Sequence, residues 1–400
     1  MSAPGAPTSP ADLRAFASDN YAGVHPDVWA AMLDADAGHA RAYGEDPVTA
    51  ALQERVRATF GERAFALPVF NGTGANVVAL RALTPPWGAV VCASHAHIAT
   101  DEGGAPVQVG GLSLLPVSTG DDGKLTPALL TPVLGSFGFV HTVQPAVVEI
   151  AQATEVGTVY SAQEVRALAD AAHAAGLSVY MDGARLCNAA AALGVPLREF
   201  TTDAGVDAVS FGGTKNGALG AEAVVVLNPE AVATAAMVTD RDVPGRERDA
   251  DSAAQMSLGY LRKSSMQLAS KQRYLSAQLL ALLTDDLGVR LADHANAMAR
   301  LLAERVSALE GVELSRQPEA NAVFAVLDPA AADAVRARYA FYDWNPATGE
   351  VRWMTSWDTS REDVAGFTDA LGQALAARRC GPPTARPAPR RAPARLRCRA

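Results

Sequence analysis

The sequence predicts an α/β fold: a mostly parallel sheet covered by helices, followed by a smaller α+β domain on the C-terminal side. Three observations carry that expectation. From about Thr49 to Leu227, short apolar runs alternate with Ala-rich helical windows, and strands that alternate with helices build parallel sheets buried on both faces. The pattern breaks over 228–257 and then resumes with a different order of elements. No stretch approaches the ~20 unbroken apolar residues of a membrane helix, and 400 residues are enough to bury a sizeable apolar core.

Residues 1–12 are rich in Ala, Pro and Ser and are expected to be a flexible N-terminus. A large domain is expected over 13–285. Within it Val90–Cys92, Ala146–Ile150, Leu177–Met181 and Ala208–Phe211 have the apolar runs of buried strands. A helix is expected over Ser161–Ala175, because Ser161 with Glu164 forms a capping box and Gly176 supplies the stop. The stretch 239–257 is dense in charge and predicts a solvated loop or insertion. A long helix is expected from Tyr260 to about Leu283. The small domain, 286–377, shows a helix over Ala295–Leu309 and strands over Ala322–Leu327 and Val351–Thr355. Residues 378–400 are almost entirely Arg, Pro and Ala, a composition that builds no core, so a disordered tail is expected.

Charge and cysteine content narrow the classes. The net charge is −9 at pH 7. Residues 378–400 hold eight Arg and no acid, which leaves residues 1–377 with 26 Lys and Arg against 43 Asp and Glu, a net −17. Nothing in the body suggests nucleic-acid binding. Met1–Pro10 has neither a basic n-region nor an apolar h-region, so no signal peptide is expected. Cys92, Cys187, Cys380 and Cys398 form no compact framework. A soluble, cytoplasmic protein with no membrane partner is expected.

Chemistry concentrates at two strand ends. The apolar run Val179-Tyr-Met ends on Asp182, and Arg185 opens the next helical window. The next strand, Val206–Phe211, runs into Gly212-Gly-Thr-Lys215. Ligands of open α/β sheets bind at the carboxyl ends of strands, so an acid and a lysine arrive at one rim. Alone, Lys215 would be an ordinary surface residue of a Gly-rich turn and Asp182 a turn acid. As an ordered pair they suit pyridoxal phosphate, which needs a Lys amine for its Schiff base and a carboxylate for its ring nitrogen. Gly72, Thr73 and Gly74 precede the helical window Val77–Leu83 and offer backbone N–H groups to a phosphate. His95 and His97 lie two apart, which would suit a metal pair, but no third ligand follows at a useful spacing and no metal is expected. A histidine here stacks on a pyridine ring and moves protons near neutrality; the other of the pair is expected to be a satisfied loop histidine.

Taken together, these motifs resemble the low-specificity threonine aldolase family of fold-type-I pyridoxal-phosphate enzymes. The resemblance runs from about Ala17 to Asp363, excluding the insertion. It rests on Ser18-Asp-Asn20, Ala42-Tyr-Gly-Glu-Asp-Pro47, Asn71-Gly-Thr-Gly74, His97 with Glu102 and Gly103, Asp182-Gly-Ala-Arg185-Leu, Thr214-Lys215 and Arg352-Trp-Met-Thr-Ser-Trp-Asp358. It implies that Lys215 binds the cofactor covalently, that Asp182 pairs with its ring nitrogen, that Gly72 and Thr73 hold its phosphate, and that His97 stacks on its ring. Ser18, Arg185 and Arg352 would hold the substrate carboxylate, for which a planar guanidinium is well shaped. His141 lies near a family histidine that faces the substrate hydroxyl.

The implied reaction is cleavage of a β-hydroxy-α-amino acid, L-threonine or L-allo-threonine, to glycine and an aldehyde. His97, His141 or a held water would take the hydroxyl proton, and the sequence leaves these three open. The resemblance also implies a homo-oligomer, a dimer or tetramer, with shared sites. Two alternatives compete: a β-eliminating lyase or racemase on the same scaffold, and a cofactor-free, non-enzymatic homologue. One segment departs from the family. Where it usually has a Gly-Gly-Gly-Met-Arg-Gln-like stretch, this chain has Arg262-Lys-Ser-Ser-Met-Gln-Leu-Ala-Ser-Lys271-Gln-Arg273, with Lys271 or Arg262 as replacement phosphate contacts.

Overall fold

The computed structural model describes residues 14–242 and 248–380. The N-terminal stretch 1–12 and nearly all of the Arg/Pro-rich tail lie outside the described residues. Seven strands form the main sheet: β1 (Phe65–Val69), β2 (Gly88–Ala93), β3 (Ser113–Val117), β4 (Gln144–Ala151), β5 (Ser178–Asp182), β6 (Ala208–Gly212) and β7 (Glu222–Val226). Their spatial order is β1-β7-β6-β5-β4-β2-β3. Only β7 runs antiparallel to its neighbours β1 and β6; the other pairs are parallel. Strands β1, β2, β6 and β7 are buried at every position, as a sheet covered on both faces requires.

The expected strands at β2, β4, β5 and β6 are present: β2 and β4 are each three residues longer than expected, β6 is one longer, and β5 is shifted by one residue. The capping box is also present: Ser161 Oγ accepts from Glu164 N, and the Glu164 carboxylate accepts from Ser161 N, ahead of the helix Ala162–Ala174. Strand β1 escapes a sequence reading because it carries Pro68. It pairs with β7 alone and so lies at the sheet edge, where a missing N–H is tolerated.

The single helix expected over Tyr260–Leu283 is two. One, Ala250–Ser264, starts inside the stretch read as a charged loop; the other is Gln272–Leu283. Asp249 and Ser252 form a capping box, and Ala253, Ala254, Ser257 and Leu258 face the core. This helical spacing outweighs the local charge density. Between the two helices Met266 has φ 62°, a conformation that ends a right-handed helix. Of the charged stretch, residues 243–247 lie outside the described residues.

Strands β8 (Val312–Leu314), β9 (Ala322–Leu327), β10 (Tyr342–Asn345) and β11 (Glu350–Met354) form a second, antiparallel sheet in the order β10-β11-β9-β8. It packs on the helices Leu287–Ser307 and Arg361–Cys380. The second of these carries regular structure three residues past the expected start of the tail. Phe16, Tyr339, Phe341, Trp353 and Phe367 form the aromatic centre, with ring centroids 4.7 to 6.2 Å apart. Each such ring contributes about 1.5–3 kcal/mol of burial. Phe16 comes from the other end of the chain, and its carbonyl accepts from Met354 N at 2.8 Å. The residues that follow it, Ser18 and Asp19, are thereby pinned between the two sheets.

Candidate active site

The parallel strands β4, β5 and β6 end on the same side, and the functional side chains gather there. Asp182 is the last residue of β5 and is buried. Its Oδ1 accepts from Ala184 N at 2.9 Å and Ser210 Oγ at 3.4 Å, while Oδ2 accepts from Asn76 Nδ2 at 2.9 Å. Close strand crossing requires glycine beside it. A Cβ on Gly183 would meet Ser210 O at 2.0 Å, and one on Gly212 would meet Ala184 O at 2.6 Å.

Asn76 extends this network. It is buried on the helix Gly72–Leu83, donates also to Glu102 Oε1 at 2.7 Å, and accepts from Tyr180 Oη at 2.6 Å. Glu102 Oε1 in turn pairs with His97 Nδ1 at 3.0 Å. Chiefly through that hydrogen bond, the His97 pKa is raised and the protonated imidazole favoured. The other histidine of the pair, His95, is hydrogen-bonded to the Gly123 backbone and pushed down by burial, as a satisfied loop histidine.

The residues 72–74 are already the first turn of the helix rather than a loop before it. Asn71 caps them by accepting from Gly74 N at 2.7 Å, which leaves the N–H groups of Gly72 and Thr73 for an anion. Space beside Gly72 is open, but a Cβ on Gly74 would meet the Gln267 amide at 2.3 Å. Gln267 also accepts from Phe70 N at 3.0 Å. It is therefore Gln267, of the segment that departs from the family pattern, that packs against this turn. Lys271 is exposed, and Arg262 donates to the Pro68 carbonyl at 3.3 Å with its pKa lowered to about 10 by burial.

Lys215 sits in the short turn Thr214–Asn216 after β6. Glu222, at the start of β7, accepts from Gly213 N and Thr214 N at 3.2 Å each and so fixes that turn. Burial raises the Glu222 pKa to about 7. The Lys215 amine has no hydrogen bond or ion pair among the described residues.

Arg185 is committed in part. Its Nε and Nη2 donate to Asp19 Oδ2 and Oδ1 at 2.7 and 3.0 Å, and Asn321 donates to the same carboxylate. Burial, the largest single influence, would raise the Asp19 pKa, but the charges of Arg185 and Lys215 and the hydrogen bonds from Arg185 and Asn321 together outweigh it, and the net shift is downward. Ser18 Oγ lies 3.5 Å from Asp19 Oδ1. Arg352, on β11, lies over the Trp344 ring at 5.1 Å; its Nε is buried without a partner. Burial, and then the nearby Arg185 charge, lower its pKa. An anion bound by both guanidinium groups would relieve that repulsion.

His141 is the exception. It precedes β4, is exposed, and stacks edge-on with Phe139 at 5.2 Å. Because Ala151, at the other end of β4, is the register partner of Asp182, His141 lies at the opposite rim. Seven strand residues, roughly 23 Å, separate the two ends. Its own chain does not bring it to the site, because a parallel strand delivers only its carboxyl end to this rim.

Sequence reasoning missed Asn76, Tyr180, Ser210, Glu222 and Glu155, and assigned Asp19 and Glu102 no role. Asn76 had a signal, being one helical turn after Gly72. Glu222 and Glu155 had none, since each acts through a backbone N–H from another element. Among the described residues no group of three or more His, Cys, Asp or Glu is arranged to hold a metal, and no helix is long and apolar enough to cross a membrane.

The family described as Beta-eliminating lyase matches residues 15–330. The chain is 43% identical over 350 residues to the low specificity L-threonine aldolase of Pseudomonas aeruginosa, covering 87% of this chain and 94% of that protein. It is 40% identical, with the same coverage, to that of a further Pseudomonas strain. A threonine aldolase structure from Leishmania major superposes with a TM-score of 0.79 at 26% identity, over 90% of this chain and 99% of that one. The chain therefore belongs to the beta-eliminating lyase family, alongside the low-specificity L-threonine aldolases.

Proposed function

We propose that the protein is a pyridoxal-phosphate-dependent carbon–carbon lyase that cleaves a β-hydroxy-α-amino acid, L-threonine or L-allo-threonine, to glycine and an aldehyde. One observation supports the reading: a hydrogen-bonded carboxylate and a lysine with no hydrogen bond or ion pair among the described residues stand at one rim, with Arg185 beside them and its charge acting on Arg352. The residues fit the cofactor. Lys215 would hold its aldehyde carbon, Asp182 its ring nitrogen, the free N–H groups of Gly72 and Thr73 its phosphate, and His97 its ring face. When bound, the cofactor supplies a sink for the electron pair of the broken Cα–Cβ bond.

The chain does the rest by positioning. Asn76, Ala184 N and Ser210 hold Asp182 so that its carboxylate needs no reorganisation to face a cationic ring nitrogen. Arg352, the remaining Arg185 nitrogen and Ser18 would grip the substrate carboxylate. That grip sets which bond at Cα lies perpendicular to the ring and therefore breaks. Asp19 keeps Arg185 oriented while leaving part of its fork available.

Incubation with pyridoxal phosphate and L-threonine tests the proposal. Equimolar glycine and acetaldehyde are expected; ammonia with a keto acid would instead mark an eliminating lyase. We further propose a homo-oligomer, on the exposed apolar side chains Trp87, Phe137, Phe139 and Val140. A cytoplasmic setting is proposed on the free, buried thiols of Cys92 and Cys187. The domain division proposed is 13–285 and 286–377, with Phe16 lent to the second core.

A further inference from the structure

The fate of the substrate's hydroxyl proton depends on which base reaches it. His141 lies on the opposite rim. His97 has its Nδ1 on Glu102 and is the residue proposed for the cofactor's ring face. The remaining candidates are the carboxyls around the site. Asp182 and Asp19 are engaged at both oxygens, and Glu222 holds two backbone N–H groups. Glu102 has Oε1 on Asn76 and His97 and Oε2 sealed, and Glu149 is sealed with neither oxygen partnered.

Glu155 differs from all of these. It follows β4 by four residues and so stands at the carboxyl rim beside Asp182. Its Oε1 accepts from His97 N at 3.2 Å, which fixes the side chain. The other oxygen makes no hydrogen bond among the described residues and is not sealed from solvent. Glu155 feels the charges of Asp182, His97, Arg185 and Lys215, and acts in turn on Glu149 and Arg352. Its charge is thus coupled to the lysine proposed to anchor the cofactor and to both guanidinium groups proposed to grip the carboxylate.

We propose that Glu155 is the general base that takes the proton of the substrate's β-hydroxyl. This rests on the proposed aldolase reading. As the Cα–Cβ bond breaks, its electron pair stays with Cα, the O–H electrons form the aldehyde's C=O bond, and the proton passes to the Glu155 carboxylate. A proton then adds at Cα to complete glycine, so the reaction balances without another reactant. Burial lifts the Glu155 pKa to about 7, with Asp182 adding to it and His97, Arg185 and Lys215 opposing. A base poised there is matched to neutral pH.

The test pairs two reactions of the holoenzyme. Cleavage of L-threonine needs the hydroxyl base; exchange of the glycine α-proton in deuterium oxide uses the same cofactor and clamp but no hydroxyl. Glu155→Gln should lower kcat for cleavage by about 100-fold or more, leave glycine exchange within about threefold of wild type, and remove the rise in cleavage rate through pH 7. Glu155→Asp should restore part of the cleavage. In cofactor-free protein, the infrared difference between wild type and Glu155→Gln should show a carboxyl titrating near neutrality. Unchanged cleavage, equal loss of both reactions, or no such carboxyl overturns the role. If wild type yields no glycine and aldehyde, the aldolase reading itself falls and takes the role with it.

Discussion

Asn76→Ala probes the network that holds Asp182. Asn76 makes three hydrogen bonds: 2.7 Å to Glu102, 2.9 Å to Asp182 and 2.6 Å from Tyr180. Bonds to charged groups contribute about 1.5–3 kcal/mol each and a neutral one about 0.5–1.5, so the three together reach roughly 3.5–7.5. The vacated amide leaves a polar space that one water fills, recovering part of this. A net loss of about 2–5 kcal/mol is expected, a large share of the 5–15 typical of a folded protein. Urea unfolding of the cofactor-free protein, followed by circular dichroism and tryptophan fluorescence, reads it directly. The same variant should also hold cofactor less tightly, because Asp182 loses the donor that orients it. A stability loss below about 0.5 kcal/mol would refute the network as described. Asn76→Asp serves as the opposite control, since it preserves shape but places a third carboxyl beside Asp182 and Glu102.

Three further outcomes are expected. Lys215→Ala should abolish steady turnover in the glycine and acetaldehyde assay, and near-wild-type turnover would remove the lysine from the mechanism. Arg352→Ala should raise KM for threonine roughly ten- to hundredfold, since one charged hydrogen bond to carboxylate contributes about 1.5–3 kcal/mol; an unchanged KM would place the carboxylate elsewhere. Glu222 is a linkage test. Its folded pKa, raised by burial to about 7 from 4.5, means the folded state keeps a proton that the unfolded state releases, so its effect on stability worsens as pH rises from 4.5 to 7. Glu222→Gln should therefore gain on wild type by about 3 kcal/mol across that window, at about 1.4 kcal/mol per pKa unit, and a pH-independent difference in urea unfolding would contradict the assignment.

Much of the fold was legible in the residues, because burial on both faces of a parallel sheet imposes a local signature. Val90–Cys92 and Val179–Met181 are apolar runs with no other use, and the Ser161–Glu164 box marks a helix start within four residues. Where the local signal was mixed, tertiary context decided. Charge density hid the helix Ala250–Ser264, whose buried face is mostly small residues, and Pro68 hid the edge strand β1.

The site divides along the same line. Lys215, Asp182, Arg185 and the Gly72–Gly74 turn were legible as candidates in the sequence alone, because their chemistry is carried by residue type and by position at a strand end or helix start. The partners that tune them were not. Asp19 reaches Arg185 across 166 residues, Asn76 reaches Asp182 across 106, and Glu155 reaches the His97 backbone across 58. His141 shows the converse: its residue type suits the chemistry, yet strand direction carries it to the far rim. Hydrogen bonds act over about 3 Å, so which distant residues make them is decided only when the chain closes on itself.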